Sequence, residues 1–418
     1  MRPRALRGAA LGSATAAIGL IAVALHSSMP AAQTLMPSPA GAAVAPQIQL
    51  QADSTIRLGL LLAGGRSAAA SEDIAAGVAL AVAEANGRIG GRKIAVLRED
   101  AARRNGDTVE KARRLIAAGA DILIGPAHPG EVPGVRDVAD ADRVPLIVPV
   151  PGAGALAALK CSPFVLHLVA AEEQIAAPLG AWIGTRKTSR RIYLLAPDET
   201  PARETVAAFK KSFVAAGGEI VGEEYVSAPN PDFSPYLAKL RLMDADSVYA
   251  LFQGEPAGTF VRQFGSMGLA KRVTLFGAEA IAGVHPEKVA AVTGASDYTP
   301  SLDTPENREF RGAFSRLFAR LPTEHAARGY DAARAAIEAL HVTEGKTDDR
   351  EVLAETLARV WFIGPRGPIR ADPRRPYTPE RLYIVRAQEE GTGTTYEVLD
   401  RVNGSEGADL CAVPQPRG

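Results

Sequence analysis

The chain has 418 residues, with 47 Lys+Arg against 47 Asp+Glu, so its formal net charge is zero. That balance supplies no basic surface for nucleic acid or an anionic membrane, and the length exceeds one ordinary core, which points to two domains. Hydrophobic residues make up 47% and aromatics only 6%, so aliphatic side chains are expected to fill those cores.

The N-terminus reads as an export signal. Arg2, Arg4 and Arg7 form a basic start, Ala9 to Leu25 is apolar and uncharged, and small residues follow at Ala31 and Ala32 and again at Ala40-Gly41-Ala42. A signal peptide over 1–32 is expected, with cleavage as late as residue 42 as the other option. The rival reading is a membrane anchor, but the Ala and Gly content makes the run weakly hydrophobic. No cysteine stands at the cleavage region to carry a lipid. Residues 33–54 read as a disordered spacer. Export places Cys161 and Cys411 in an oxidising compartment, where they either form a disulfide that pins the 404–418 tail or remain two thiols.

The mature chain opens with an apolar strand, Thr55 to Leu62. Ser71 is a plausible N-cap for a helix carrying Ile74, Val78, Val82 and Ala85 on one stripe. Strand Lys93 to Leu97 follows, then a helix opened by Asp107 with Val109, Ala112, Leu115 and Ile116 inward. Strand Ile122 to Ile124 runs into Gly125-Pro126, a helix carries Val132, Val135, Val138 and Ala139, and strand Pro145 to Val148 closes the run. Strands joined by helices of this length form βαβ units, whose ligand-binding edge is the carboxyl ends of the strands.

The rhythm then restarts. Strands Arg191 to Ala196, Glu219 to Val226, Ser247 to Phe252 and Val273 to Gly277 alternate with helices Ala202 to Ala216, Phe233 to Met243 and Ala257 to Gly268. Two such runs predict two parallel-sheet lobes. Phe164 to Val169, Ala295 to Tyr298 and Trp361 to Ile369 read as crossovers between them, because Thr304 to His341 is purely helical and Arg381 to Arg386 is again a strand. The expected partition is 55–166 with 299–358 in lobe 1 and 167–298 with 359–403 in lobe 2. Three crossings make a hinge suited to closure over a ligand.

Several phrases, in this order, are similar to the periplasmic substrate-binding proteins of branched-chain amino acid and amide type ABC transporters. They are DILIGPAHPG…VPLIVPVPGAG, PFVLHLVAAEEQ, FKKSFVAAGGEIVGEEYVSAPNPDFSPYLAKLRLMDADSVYALFQGEPAGTFVRQFGSMGL, and ENREFRGAFSRLF…RGYDAARAA. The resemblance spans about Ile56 to Val402. It implies the two-lobed type I α/β fold, each lobe a parallel sheet flanked by helices and joined by a three-segment hinge. It also implies a periplasmic monomer with no cofactor or metal, whose partners are a small-molecule ligand and an inner-membrane ABC permease. The tail phrase RLYIVRAQ resembles the ending of amide- and aromatic-compound-binding members.

Candidate ligand contacts are the strand-end loops. In lobe 1 they are Arg66 and Ser67, Ala127 and His128, and Val150, Pro151 and Gly152; in lobe 2 they are Glu199 and Thr200, Gln253 and Glu255, and Glu279. Tyr298, at a crossover, is either hinge packing or a ring stacked on ligand. In the family, lobe 1 grips the ligand carboxylate through backbone N–H groups and hydroxyls, and a lobe 2 acid takes an ammonium, which by position would be Glu255 or Glu279. This chain departs from that pattern: Ala127, His128 and Pro129 replace the hydroxyls, and Pro149-Val150-Pro151-Gly152 offers none. Proline also removes N–H donors. The expectation is a ligand less polar than a free amino acid, or a carboxylate held by Arg66.

Enzyme signatures are absent: there is no G-x-S-x-G, H-E-x-x-H, C-x-x-C or Walker loop. Two other readings stay open, a ligand sensor of the same fold without transport and an enzyme on a two-lobed α/β scaffold.

Overall fold

The computed structural model describes residues 55–63, 68–99, 108–151, 162–227, 232–252, 254–277, 291–371, 381–390 and 393–404. The expected signal peptide, the spacer, Arg66, Ser67, Gly152, Cys161, Gln253, Glu279 and Cys411 lie outside them.

Strand β1 (Ile56–Leu61) leads into α1 (Ala68–Glu84), followed by β2 (Arg88–Ile89), β3 (Arg92–Glu99), α2 (Thr108–Ala117), β4 (Ile122–Ile124), α3 (Val132–Asp142), β5 (Leu146–Val148) and β6 (Val165–His167). These strands form one sheet in the order β2-β3-β1-β4-β5-β6, parallel except for the short β2–β3 pair. Helices on both faces bury a parallel sheet twice over, which is why β4 and β5 are continuous Ile-Leu-Ile and Leu-Ile-Val runs with every residue buried.

The chain then enters a second sheet through α4 (Glu172–Gly184), β7 (Arg191–Pro197), α5 (Thr200–Ala215), β8 (Glu219–Val226), α6 (Ser234–Leu242), β9 (Ser247–Ala250), α7 (Gly254–Ser266), β10 (Thr274–Gly277) and β11 (Val292–Ser296). It returns with α8 (Pro305–Phe318), α9 (Glu324–Val342), α10 (Arg350–Leu357) and a separate hairpin of β12 (Trp361–Gly364) and β13 (Gly367–Arg370). It finishes on β14 (Arg381–Glu390) and β15 (Gly393–Asn403). The second sheet has the order β15-β14-β11-β10-β9-β7-β8, with β14 and β15 added antiparallel. One of its faces buries Phe209, Phe213 and Tyr249 under α4 and α5; the other buries Phe233, Phe252, Phe260 and Phe264 under α6 and α7.

Each sheet has one helix pair held close by glycines. A Cβ on Gly77 of α1 would lie 2.0 Å from the Ala326 carbonyl oxygen of α9, and one on Gly329 of α9 would lie 2.3 Å from that of Ile74. In α4, Gly180 and Gly184 meet the Phe209 and Phe213 carbonyl oxygens of α5 in the same way, at 2.5 and 2.6 Å. Only a residue without a side chain lets two backbones approach this far.

A buried ion network ties the passages between the sheets together. Arg366, in the β12–β13 turn, donates through Nε to Asp331 of α9 at 2.5 Å, through Nη1 to Asp297 after β11 at 2.5 Å, and through Nη2 to the Leu168 carbonyl after β6 at 2.9 Å. Arg328 of α9 reaches the other oxygen of Asp297 at 3.1 Å. Burial pushes the Asp331 carboxyl up to about 6 against the pull of Arg366. Beside them Ser296 Oγ donates to Glu324 at 3.5 Å, and burial together with the Asp297 charge raises that carboxyl well above its ordinary value.

The structure differs from the sequence expectation in five places. Ser71 is not an N-cap: it lies inside α1, where its hydroxyl accepts from Ala63 N–H at 2.8 Å and donates to Ala63 O at 2.9 Å. Phe164 to Val169 contains the strand β6, and Ala295 to Tyr298 begins with the last two residues of β11, before the chain passes between sheets. Trp361 to Ile369 is a hairpin, and its Phe362 and Ile369 join the core of the first sheet, so the chain re-enters the second sheet at Arg381 rather than near 359. Strand β15 was not foreseen; alternating Tyr396, Val398 and charged residues look like a polar tail until β14 is there to pair with them.

Candidate functional site

In the first sheet the carboxyl edge is apolar. Leu62 and Ala63 follow β1, Gly125-Pro126-Ala127 follow β4 with a cis peptide at Pro126, and Pro149-Val150 follow β5; all are buried, and Pro151 is half-buried. Gly125 explains the IGP wording. Its φ is +133°, and a Cβ there would lie 2.7 Å from both the Leu61 Cβ and the Leu61 carbonyl oxygen, so β4 can end against β1 only on glycine. Ala127 points inward, whereas His128 is exposed and turns its Nδ1 back to accept from Gly130 N–H at 3.1 Å, capping the turn Pro129–Glu131. Residues 125–129 and 149–151, the described carboxyl-edge part of the β4 and β5 loops, carry no Ser or Thr hydroxyl; Ser162, just before β6, donates its hydroxyl to Asp140.

The polar groups of this edge sit just behind it. Lys111, in the second turn of α2, is buried and its Nζ donates to the Leu62 carbonyl at 3.4 Å. His167 closes β6, where burial and the Arg136 charge hold its imidazole down at about 4, so it is neutral at physiological pH. One oxygen of Glu131 is buried without a hydrogen-bond partner among the described residues.

The carboxyl edge of the second sheet is polar by contrast. Asp198, after β7, accepts from Arg203 Nε and Nη2 at 2.9 and 2.6 Å and from Ser227 Oγ at 3.0 Å, and these bonds hold its carboxyl below the usual range. The Arg203 guanidinium also lies 3.8 Å from the Tyr225 ring centre. Glu199 and Thr200 are exposed at the start of α5, and Glu255 is exposed in the first turn of α7; Glu199 makes no side-chain cap bond. Phe252, after β9, turns into the second core against Phe233, with ring centres 4.6 Å apart.

The structure therefore gathers Ala127, His128, Val150 and Pro151 on one sheet edge and Glu199, Thr200 and Glu255 on the other. Tyr298 stands apart. Its ring is buried in the core of the first sheet, edge-on to Phe310 at 6.3 Å, and its hydroxyl has no partner among the described residues. Sequence reasoning missed Asp297, Arg328 and Arg366, which lie up to 69 residues apart in the chain and carry no shared motif. Lys111 was legible in principle. It follows Thr108 by three positions and precedes Leu115 by four, on the stripe that faces the sheet.

The arrangement matches known proteins over almost its whole described length. A model of the periplasmic binding protein family matches residues 55–392. The Leu/Ile/Val-binding protein homolog 6 of Brucella suis biovar 1 (strain 1330) is 23% identical over 344 residues, covering 79% of this chain and 87% of the relative. Among solved structures, an ABC transporter substrate-binding protein from Sphaerobacter thermophilus superposes with a TM-score of 0.76 at 29% identity, covering 84% of this chain and 99% of that one. A solute-binding protein of an ABC transporter from R. palustris, in complex with benzoate, gives 0.75 at 25% identity, with 86% and 100% covered. The fold, the apolar and polar strand-end edges and the family match over 55–392 agree: this chain belongs to the periplasmic binding protein family.

Proposed function

We propose that this chain is an exported solute-binding protein that captures a small aromatic or apolar carboxylate and delivers it to an ABC importer in the inner membrane. Capture proceeds by hinge closure: the ligand joins the two strand-end edges, and the permease reads the closed form. Export by a cleaved signal peptide over 1–32 and action as a non-enzymatic monomer belong to the same reading, as does the partition of the chain into two lobes.

One observation carries the ligand class. The edge that would hold the ligand body presents Ala63, Ala127, Val150 and Pro151, with no hydroxyl among the described residues 125–129 and 149–151 to grip an amino acid. An apolar wall of this kind suits an aromatic ring better than a zwitterion, whose charged groups need donors and acceptors when desolvated. The similarity to a benzoate-binding protein at 25% identity supports the same class.

A thermal-shift series on the mature protein with benzoate, 4-hydroxybenzoate, leucine and isoleucine tests it. A ligand at 100 times its Kd adds about 2.7 kcal/mol to the native state, enough for a rise of several degrees. Benzoates are expected to shift the transition and the amino acids to leave it in place. A shift with leucine and none with benzoates would overturn the ligand class.

A further inference from the structure

We propose that Lys111 is the cationic anchor for the anionic group of the bound ligand. This inference rests on the carboxylate reading above and assigns the charge partner which that reading lacks. Lys111 is only 5% exposed, yet its single hydrogen bond among the described residues is to the Leu62 carbonyl at 3.4 Å, longer than an ordinary N–H···O bond, and it makes no ion pair with them. Glu131, whose Oε2 is buried without a hydrogen-bond partner among the described residues, forms no ion pair with it.

An ammonium has three donors, and desolvating it for one long bond is unfavourable unless an anion arrives. A stability requirement would favour Ala or Leu at an inward position between Thr108 and Leu115. The location gives the lysine a use. Leu62 follows β1 at the carboxyl edge, one residue beyond the Leu61 backbone that abuts Gly125 at the head of the Ala127 loop, so Nζ lies against the strand end that borders this loop. The amino end of α2 opens on the same edge, and its field favours the same sign of ligand charge.

The test compares the parent protein with Lys111→Met and Lys111→Gln, measuring the Kd of benzoate, benzamide and leucine by calorimetry and the melting temperature without ligand. Removing one partner of a desolvated charge pair should weaken benzoate by about 30-fold or more in both variants. Benzamide, which keeps the ring and loses the charge, should bind the parent weakly and the variants no worse. Without ligand, Lys111→Met should melt at or above the parent temperature, since it removes a poorly compensated buried charge. Unchanged benzoate affinity in either folded variant would overturn the anchor while leaving the carboxylate reading intact. A parent that binds leucine but not benzoate, with the same 30-fold loss on substitution, would keep the anchor and overturn the aromatic class. A parent that binds no carboxylate would overturn both.

Discussion

Asp297 and Arg366 are joined at 2.5 Å across 69 residues of chain, and together they fasten the passages between the two sheets. Asp297 stands at the exit of β11, and Arg366 also holds the Leu168 carbonyl at the exit of β6 and Asp331 on α9. A hinge must bend without shearing. A guanidinium bonded to all three passages allows the strand exits to move together, because a displaced partner would leave a charge buried in an apolar surround.

Arg366→Met should therefore destabilise the protein by about 3–5 kcal/mol in urea unfolding at pH 7. Arg366 is what opposes the upward push of burial on Asp331, so the carboxyl of the variant should take up a proton even more readily. The deficit should then narrow as pH falls, because a neutral Asp331 needs no cation. A constant deficit from pH 8 to pH 5 would remove the electrostatic account.

The close helix pairs predict opposite results for two glycines. Gly329→Val places methyls where the Ile74 backbone already stands and should cost more than about 3 kcal/mol, since neither helix can retreat from its own sheet. Gly312, in α8, has only the end of the Arg316 side chain at 3.4 Å, so Gly312→Ala should stabilise by roughly 0.5–1 kcal/mol through helix propensity. Chemical denaturation midpoints of the two variants decide the matter.

His167 gives a pH signature with a defined sign. Its folded value, about 4, lies below the ordinary imidazole value of 6.5 chiefly because of burial, so folding favours the neutral ring. The stabilisation is present above pH 6.5 and is lost as pH falls towards 4, amounting to at most about 3 kcal/mol. His167→Gln should lose less stability than the parent between pH 7 and pH 4.5. Parallel pH profiles for the two proteins would show that the ring is already solvated.

Much of this architecture is legible in the sequence. The continuous apolar runs of β4, β5 and β7 and the amphipathic helices between them fix parallel units by burial alone, and they fell where predicted. What failed were elements that depend on a distant partner. Strand β15 needs β14, the β12–β13 hairpin looks like a Gly-Pro linker until the first core covers Phe362, and Ser71 looks like a cap until Ala63 claims its hydroxyl. The candidate site divides in the same way. The apolar side chains at Ala127 and Val150 are a property of single positions and are readable from sequence. Lys111 was passed over because a charged residue on an inward stripe is ordinarily read as an error in the stripe, and Tyr298 could be placed in the first core only once Phe310 was beside it.

Glu255 separates the two ligand classes at the level of one side chain. It is exposed at the start of α7, so Glu255→Gln should change benzoate affinity by less than about fourfold, within the range of a solvated charge. A loss of a hundredfold or more for an amino acid ligand would instead make it an ammonium partner.

The central claim is that this binding protein selects a carboxylate on an apolar wall rather than a zwitterion. Isothermal titration of the mature, ligand-stripped protein with benzoate and with leucine tests it most directly. The account predicts saturable one-to-one binding of benzoate and affinity for leucine at least about a hundredfold weaker, a gap of roughly 3 kcal/mol. Tight leucine binding with benzoate inert would contradict it.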